Sequence, residues 1–199
     1  MLFISHRVNS VDKLKATPRK FGIEVDIRSC CDRLIVNHDP FKPGVEFDAW
    51  VRHFQHKLLL LNVKEEGLEL RLEKKLSENH ITDYFFLDQS FPFLIKFSKF
   101  LKGRSAVRFS EYESLETVLN LSGKVNWVWV DCFSRFPLSE ADTKLLKEKK
   151  FKICLVSPEL HGRKDCEEIK KIANQLNKMD CEIDAICTKQ ADFWSDVLC

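Results

Sequence analysis

Short apolar runs rich in Val, Ile, Leu and Phe recur along the chain, and longer amphipathic stretches separate most of them. The runs are MLFIS, GIEVDIR, RLIVNH, KLLLLNVK, DYFFLD, SAVRF, VNWVWVDC, FKICLVS and IDAICT. Helical spacing appears at Leu68–Leu76, Phe93–Leu101, Leu115–Leu121, Glu140–Lys149, Cys166–Met179 and Asp192–Leu198. It is clearest in CEEIKKIANQLNKM, where Ile169, Ile172, Ala173, Leu176 and Met179 fall at offsets of 3, 4, 7 and 10, one stripe of an amphipathic helix. Strand–helix alternation of this kind builds parallel βαβ units. Strands that are apolar almost throughout are those covered on both faces. With RLIVNH taken as an excursion after the second strand, about eight main strands remain. That count predicts an α/β fold, a closed (β/α)8 TIM barrel, as one domain over residues 1–199. The length is near the lower limit for such a barrel, so loops must be short. A doubly wound open sheet is the alternative, but no G-x-G-x-x-G or P-loop supports its nucleotide-binding forms.

Charge narrows the partners. The 32 basic and 30 acidic residues leave a net charge of +2, with the two signs interspersed. No field of one sign is available for nucleic acid or an anionic membrane. No run approaches the ~18–20 apolar residues that span a bilayer. The opening MLFISHRVNS is apolar for only four residues and lacks the plan of a secretory signal. A cytoplasmic protein without a membrane span is therefore expected. The eight cysteines form no CxxC, which predicts free thiols, mostly buried, over a disulfide framework or zinc site. Trp50, Trp127, Trp129 and Trp194 are expected in the core or between helices.

Polar residues gather where the strands end. In GIEVDIR, Glu24 and Asp26 alternate with Ile23, Val25 and Ile27, so the two acids share one face of a strand. An unpaired carboxylate on a buried strand is costly. A divalent cation, or clustered Arg and Lys, would compensate the pair. His6 and Arg7 end the first strand, His38 and Asp39 follow LIV, and Asn62 and Lys64 close LLLNVK. Asp88, Asp131 and Glu159 follow later strands, where they are additional rim candidates. Asp131 and Glu159 also suit helix N-caps or first-turn acids. In a parallel barrel the C-terminal strand ends converge on the rim that carries active sites.

The block SHR, then GIEVDIR, then LIVNHD resembles the glycerophosphodiester phosphodiesterase family of the phospholipase-C-like phosphodiesterases. That family has His-Arg-Gly on the first strand, Glu-x-Asp on the second and His-Asp closing a hairpin. LLLNVK stands where the family has Glu-x-Lys, and IDAICTKQADFW where it has Thr-Asp and a last helix. The resemblance implies a metal-dependent phosphoric diester hydrolase acting on a glycerophosphodiester-like or other small phosphodiester, with a place in lipid metabolism. It implies His6 and His38 as the acid–base pair. It implies Glu24, Asp26 and Asn62 around Mg²⁺ or Ca²⁺, and Arg7 and Lys64 on the phosphate.

Four positions depart from the family pattern. Val8 replaces the Gly after His-Arg, and Asn9 is all that matches a following Glu-Asn. Asn62 replaces the third metal carboxylate, and Lys189 the final Asp. The segment usually inserted after His-Asp is reduced to PFKPGVEFDAW, which predicts an open site. Two other readings follow. A catalytically degenerate barrel would bind a phosphorylated ligand or a protein. A lyase or aldolase would use Lys64 as a Schiff base.

Overall fold

A computed structural model describes residues 1–163, 165–179 and 182–198. The strands are β1 (Leu2–Ser5), β2 (Gly22–Cys30), β3 (Arg33–Val36), β4 (Val45–Glu46), β5 (Leu59–Val63), β6 (Tyr84–Leu87), β7 (Gly103–Phe109), β8 (Val125–Val130), β9 (Lys152–Val156) and β10 (Ala185–Thr188). The helices are α1 (Val11–Ala16), α2 (Phe47–Val51), α3 (Glu69–Glu78), α4 (Phe91–Leu101), α5 (Leu115–Leu119), α6 (Glu140–Glu148), α7 (Cys166–Lys178) and α8 (Ala191–Leu198). Hydrogen bonding orders the strands β1-β10-β9-β8-β7-β6-β5-β2-β3-β4, and β1 also pairs with β2. Eight strands therefore close as the expected (β/α)8 barrel. The β3–β4 hairpin is the excursion hung on β2, antiparallel to it.

The six expected helices all form, with ends within two residues of the sequence reading. Two short ones were not expected. Helix α1 has six residues and buries only Leu14, too little for a period to register. Its start is fixed by Ser10, whose Oγ accepts from the Lys13 N–H at 3.2 Å, an N-cap. Helix α2 has five residues and buries Phe47, Trp50 and Val51.

The chain divides into two compact units, residues 5–105 and residues 1–4 with 106–199. In residues 5–105, β2 runs parallel to β5 with Asp26 opposite Asn62 and Ile27 opposite Val63. Ile23, Val25 and Ile27 of β2 pack with Leu59, Leu61 and Val63 of β5 into a core completed by Leu72, Leu76, Phe97 and Leu101. Strand alternation sends the even-numbered residues to the opposite face: Glu24, Asp26 and Arg28 from β2, then Leu60, Asn62 and Lys64 from β5 and its extension. Trp50 is fully buried. Its indole N–H donates to the Val8 carbonyl at 3.0 Å, which ties the turn after β1 to α2.

In the other unit, β8, β9 and β10 pair in parallel. Helix α7 buries Ile169, Ile172, Ala173 and Leu176, the stripe read from the sequence. Trp127, Trp129 and Trp194 are buried, as Trp50 is.

Cys30, Cys31, Cys132, Cys154 and Cys166 are free thiols. Cys132, Cys154 and Cys187 are buried, and burial pushes the Cys132 and Cys154 thiols up. Cys30, Cys31 and Cys166 are exposed, against expectation, because they lie at the β2–β3 turn and the first turn of α7. Cys181 and Cys199 lie outside the described residues. Among the described residues no helix is long and apolar enough to cross a membrane.

Candidate functional site

All of the first-choice site residues lie in residues 5–105, and their contacts follow from β2. Glu24 and Asp26 are both fully buried. Glu24 Oε2 accepts the Arg7 backbone N–H at 2.6 Å, and Oε1 accepts the Asn62 amide at 3.0 Å. The His6 ring reaches the same carboxylate, with Nε2 at 3.8 Å from Oε2. Burial, then the charge of Asp26, pushes Glu24 up to about 7.

Asp26 is held by Asn9. The Asn9 amide donates to Oδ2 at 2.7 Å, and its carbonyl oxygen accepts the Asp26 backbone N–H at 3.1 Å. Two cations offset the charge. Arg7 Nε lies 3.8 Å from Oδ2 and Lys64 Nζ lies 3.3 Å from Oδ1. Lys64 also donates to Asp88 at 3.2 Å. A lysine between two carboxylates serves as a counter-charge. A Schiff-base nucleophile needs an apolar pocket or a neighbouring cation instead.

The turn after β1 is unusual at one residue. Arg7 has φ 51, a left-handed conformation that costs a non-glycine residue some strain. The Lys13 ammonium donates to both the His6 carbonyl, at 2.9 Å, and the Arg7 carbonyl, at 2.5 Å. Val8, which stands where the resemblance expects Gly, is fully buried and is not among the residues of positive φ. The turn therefore needs no glycine at that position.

His38 follows β3 in a well-fastened loop. Arg28 donates to its carbonyl at 3.0 Å. Its Nδ1 lies 2.9 Å from Asp39 Oδ1, and its Nε2 lies 2.6 Å from an Arg7 guanidinium nitrogen. Arginine can only donate and an ionised carboxylate can only accept. In this arrangement Nδ1 donates toward Asp39 and Nε2 faces the Arg7 guanidinium. The hydrogen bonds from His38 and Lys42 hold Asp39 down to about 2.

Residues beyond the expected set complete this face. Arg28 reaches the Lys64 carbonyl at 3.4 Å, and Glu65 accepts from Ser29 Oγ at 2.5 Å. Asn9 is the largest omission. It carried a signal, three residues after His6, but an amide among turn residues gives no periodicity to mark it.

Asp131 and Glu159 belong to the other unit and have their own partners. Asp131 accepts from Arg108 and, at 3.2 Å, from the Trp129 indole, and His161 Nε2 is 3.0 Å from it. Glu159 accepts from Ser157, from Thr188 at 2.6 Å and from the Lys189 N–H at 3.0 Å.

Two acceptors on the β2–β5 face bear on a cation. Asp26 Oδ1 and Asn62 Oδ1 are buried with no donor hydrogen-bonded to them, and their residues are cross-strand partners. With the Glu24 carboxylate they form a set of hard oxygen donors, the kind that Mg²⁺ and Ca²⁺ prefer. The set fits such a cation with two carboxylates and one amide. Among the described residues no group of three or more His, Cys, Asp or Glu is placed to hold a metal ion.

Glu24 makes the fold sensitive to pH. A carboxyl raised above its ordinary 4.5 to about 7 favours folding in its protonated form. That contribution is complete below pH 4.5 and is lost as pH rises through about 7. In chelator, urea titrations at pH 5 and pH 8 should show Glu24→Gln gaining on the parent by about 2–3 kcal/mol over that interval.

No family model matches the sequence, and no curated protein does. Solved structures match over nearly the whole chain. A glycerophosphodiester phosphodiesterase from Agrobacterium tumefaciens has a TM-score of 0.70 at 13% identity, covering 99% of this chain and 98% of that one. A phosphodiesterase from Oleispira antarctica, solved in complex with the product sn-glycerol-3-phosphate, has a TM-score of 0.74 at 13% identity, covering 100% and 96%. A glycerophosphoryl diester phosphodiesterase from Parabacteroides distasonis has 0.67 at 10%, covering 99% and 85%. At these identities the likeness is one of fold, and a fold hosts many chemistries.

Proposed function

We propose that the chain is a phosphoric diester hydrolase acting on a glycerophosphodiester-like or other small phosphodiester. The observation that carries this reading is His38, an imidazole whose Nδ1 is fastened to Asp39 and whose Nε2 lies against the Arg7 guanidinium. A base oriented by a carboxylate, beside a cation that binds phosphate, is the equipment of general acid–base catalysis on an anionic ester. The phosphodiesterases of like fold support it.

In this reading the phosphate of the substrate takes the place of the His38 ring as the partner of Arg7, and Lys64 adds a second positive charge. His38 Nε2 removes the proton of the attacking hydroxyl, which belongs to water or to the substrate itself. The new P–O bond forms as the ester P–O bond breaks. His6, beside Glu24, gives its proton to the departing alkoxide. Glu24, Asp26 and the Asn62 oxygen would hold a divalent cation, whose Lewis acidity would offset charge on the phosphoryl oxygens. The free cysteines suit a reducing compartment, in keeping with a cytoplasmic site of action.

Asn62 favours a second reading. With an amide where the resemblance expects an acid, and with Arg7 and Lys64 near Asp26, the site is furnished to bind a phosphorylated ligand without turning it over. Hydrolysis of bis(p-nitrophenyl) phosphate and of a glycerophosphodiester in Mg²⁺, Ca²⁺ or chelator separates the two. The enzyme reading expects alcohol release that chelator abolishes. Phosphate binding without release in any of these conditions would establish the binding protein instead.

A further inference from the structure

The charge of the chain is balanced overall but not everywhere. Residues 15–21 and 52–57 hold five Lys or Arg and two His, with no Asp or Glu. The first segment leads from α1 into β2, and the second from α2 into β5. The Lys57 N–H donates to the Phe21 carbonyl at 3.2 Å, which ties the two together. Both line one cavity of about 330 Å³, where Lys15, Arg19, Arg52, His53 and His56 meet with no carboxylate. This cavity lies at the N-terminal ends of β2 and β5. Gly22 to Asp26 is a rise of about 13 Å along β2, which keeps the cavity apart from the Asp26, Lys64 and His38 side chains.

Like charges around one concavity repel unless something of opposite sign joins them. Among the described residues no Asp or Glu pairs with Lys15, Arg19, Arg52 or His53, and Asp12, one turn before Lys15, is not on the lining. Helix C-termini favour cations. The ends of α1, at Thr17, and of α2, at Arg52, account in that way for Lys15 and Arg52. They do not account for Arg19 or the histidines. His56 Nε2 donates to the Thr17 carbonyl at 3.0 Å, since a carbonyl can only accept. Its Nδ1 is buried with no hydrogen-bond partner. Burial pushes the His56 ring down, the Thr17 bond opposes that fall, and the charge of Arg19 adds to it. Arg19 and His56 thus repel one another, and a bound anion would relieve both. None of the large exposed apolar side chains lies on the lining, so nothing there suits insertion into a lipid surface.

We propose that this cavity binds a small soluble polyanion with two or more linked phosphates. The guanidinium forks of Arg19 and Arg52 can each take two phosphate oxygens, and Lys15 adds a point charge. One phosphate monoester carries about two negative charges, fewer than the permanent cations Lys15, Arg19 and Arg52 supply. Linked phosphates therefore match the cavity better than a single one. The site does not depend on the phosphodiesterase reading.

Calorimetry with pyrophosphate and with orthophosphate tests it, in chelator so that no metal carries either anion to Glu24 and Asp26. At about 0.15 M salt, where exposed charges are screened beyond about 8 Å, the parent should bind pyrophosphate at least about tenfold more tightly than orthophosphate. An Arg19→Gln/Arg52→Gln variant should bind pyrophosphate at least about tenfold more weakly than the parent, for the loss of charge-assisted hydrogen bonds. Both arginines are exposed, so the urea midpoint of the variant should match that of the parent. Equal pyrophosphate affinity in parent and variant would put the anion elsewhere, at Arg7 and Lys64, and overturn the proposal. No binding by the parent at millimolar pyrophosphate would overturn it too. Vesicles containing phosphatidylinositol phosphates separate the two sources of linked or clustered phosphate. If they retain the parent and not the variant while free pyrophosphate does not bind, the ligand is a lipid headgroup and the soluble polyanion is overturned.

Discussion

A His38→Ala variant should hydrolyse phosphodiesters about a thousandfold more slowly than the parent, within the 10²–10⁴-fold that a positioned acid or base supplies. The imidazole is half-exposed and stands near the start of a loop held by Arg28, Asn37 and Lys42, so its loss should leave the urea midpoint nearly unchanged. Substrate affinity should change little, because Arg7 and Lys64 remain to bind the phosphate. The loss therefore belongs in kcat. Asp39→Asn provides the finer measurement. An amide can offer His38 Nδ1 either an acceptor or a donor, so Nδ1 is no longer held as the donor. A loss in kcat at unchanged KM is expected from that variant too, smaller than the loss from alanine. If His38→Ala matched the parent in kcat/KM, the imidazole would have no part in the chemistry. The Arg7–His38 contact would then be only a way of fastening the loop.

What the sequence shows of this fold and site depends on how each feature is encoded. Helix α7 was legible because thirteen residues repeat one apolar stripe, and β2 because its acids alternate with branched apolar residues. Helices α1 and α2 were not, since six and five residues do not complete enough turns to define a period. The even-numbered face of β2 was readable as a polar surface, and its partner face on β5 followed once Asp26 was found opposite Asn62. Asn9 could not be weighted in the same way. Its value lies in a turn that folds it back onto Asp26, and that turn depends on the left-handed Arg7 and the Lys13 ammonium over two carbonyls. The site of positive φ likewise sits one residue before Val8, where a motif-level comparison looks for glycine. The missing insertion after His38 was visible as a shortened connection.

The metal question turns on Asn62, and Asn62→Glu should divide stability from cation binding. The native amide donates to Glu24. The substitution removes that donor and sets a third carboxylate against two buried ones. Without a divalent cation the variant should be less stable than the parent by about 2–4 kcal/mol, since removing a partner from buried charge costs its desolvation. With millimolar Mg²⁺ or Ca²⁺ the order of effects reverses. Binding to the folded state alone stabilises it in proportion to the logarithm of saturation, and three carboxylates attract a hard cation more strongly than two and an amide. The cation-induced rise in thermal midpoint should therefore be several degrees larger for Asn62→Glu than for the parent. Asn62→Leu supplies the control. It also strips the amide from Glu24, and the stability it loses should not be recovered by any cation. A parent that responds to the cation, weakly, and a variant that responds strongly would mean that Glu24 and Asp26 hold a real but attenuated metal site. If neither responds, Arg7 and Lys64 serve as the counter-charges of the pair, and the site binds anions without metal.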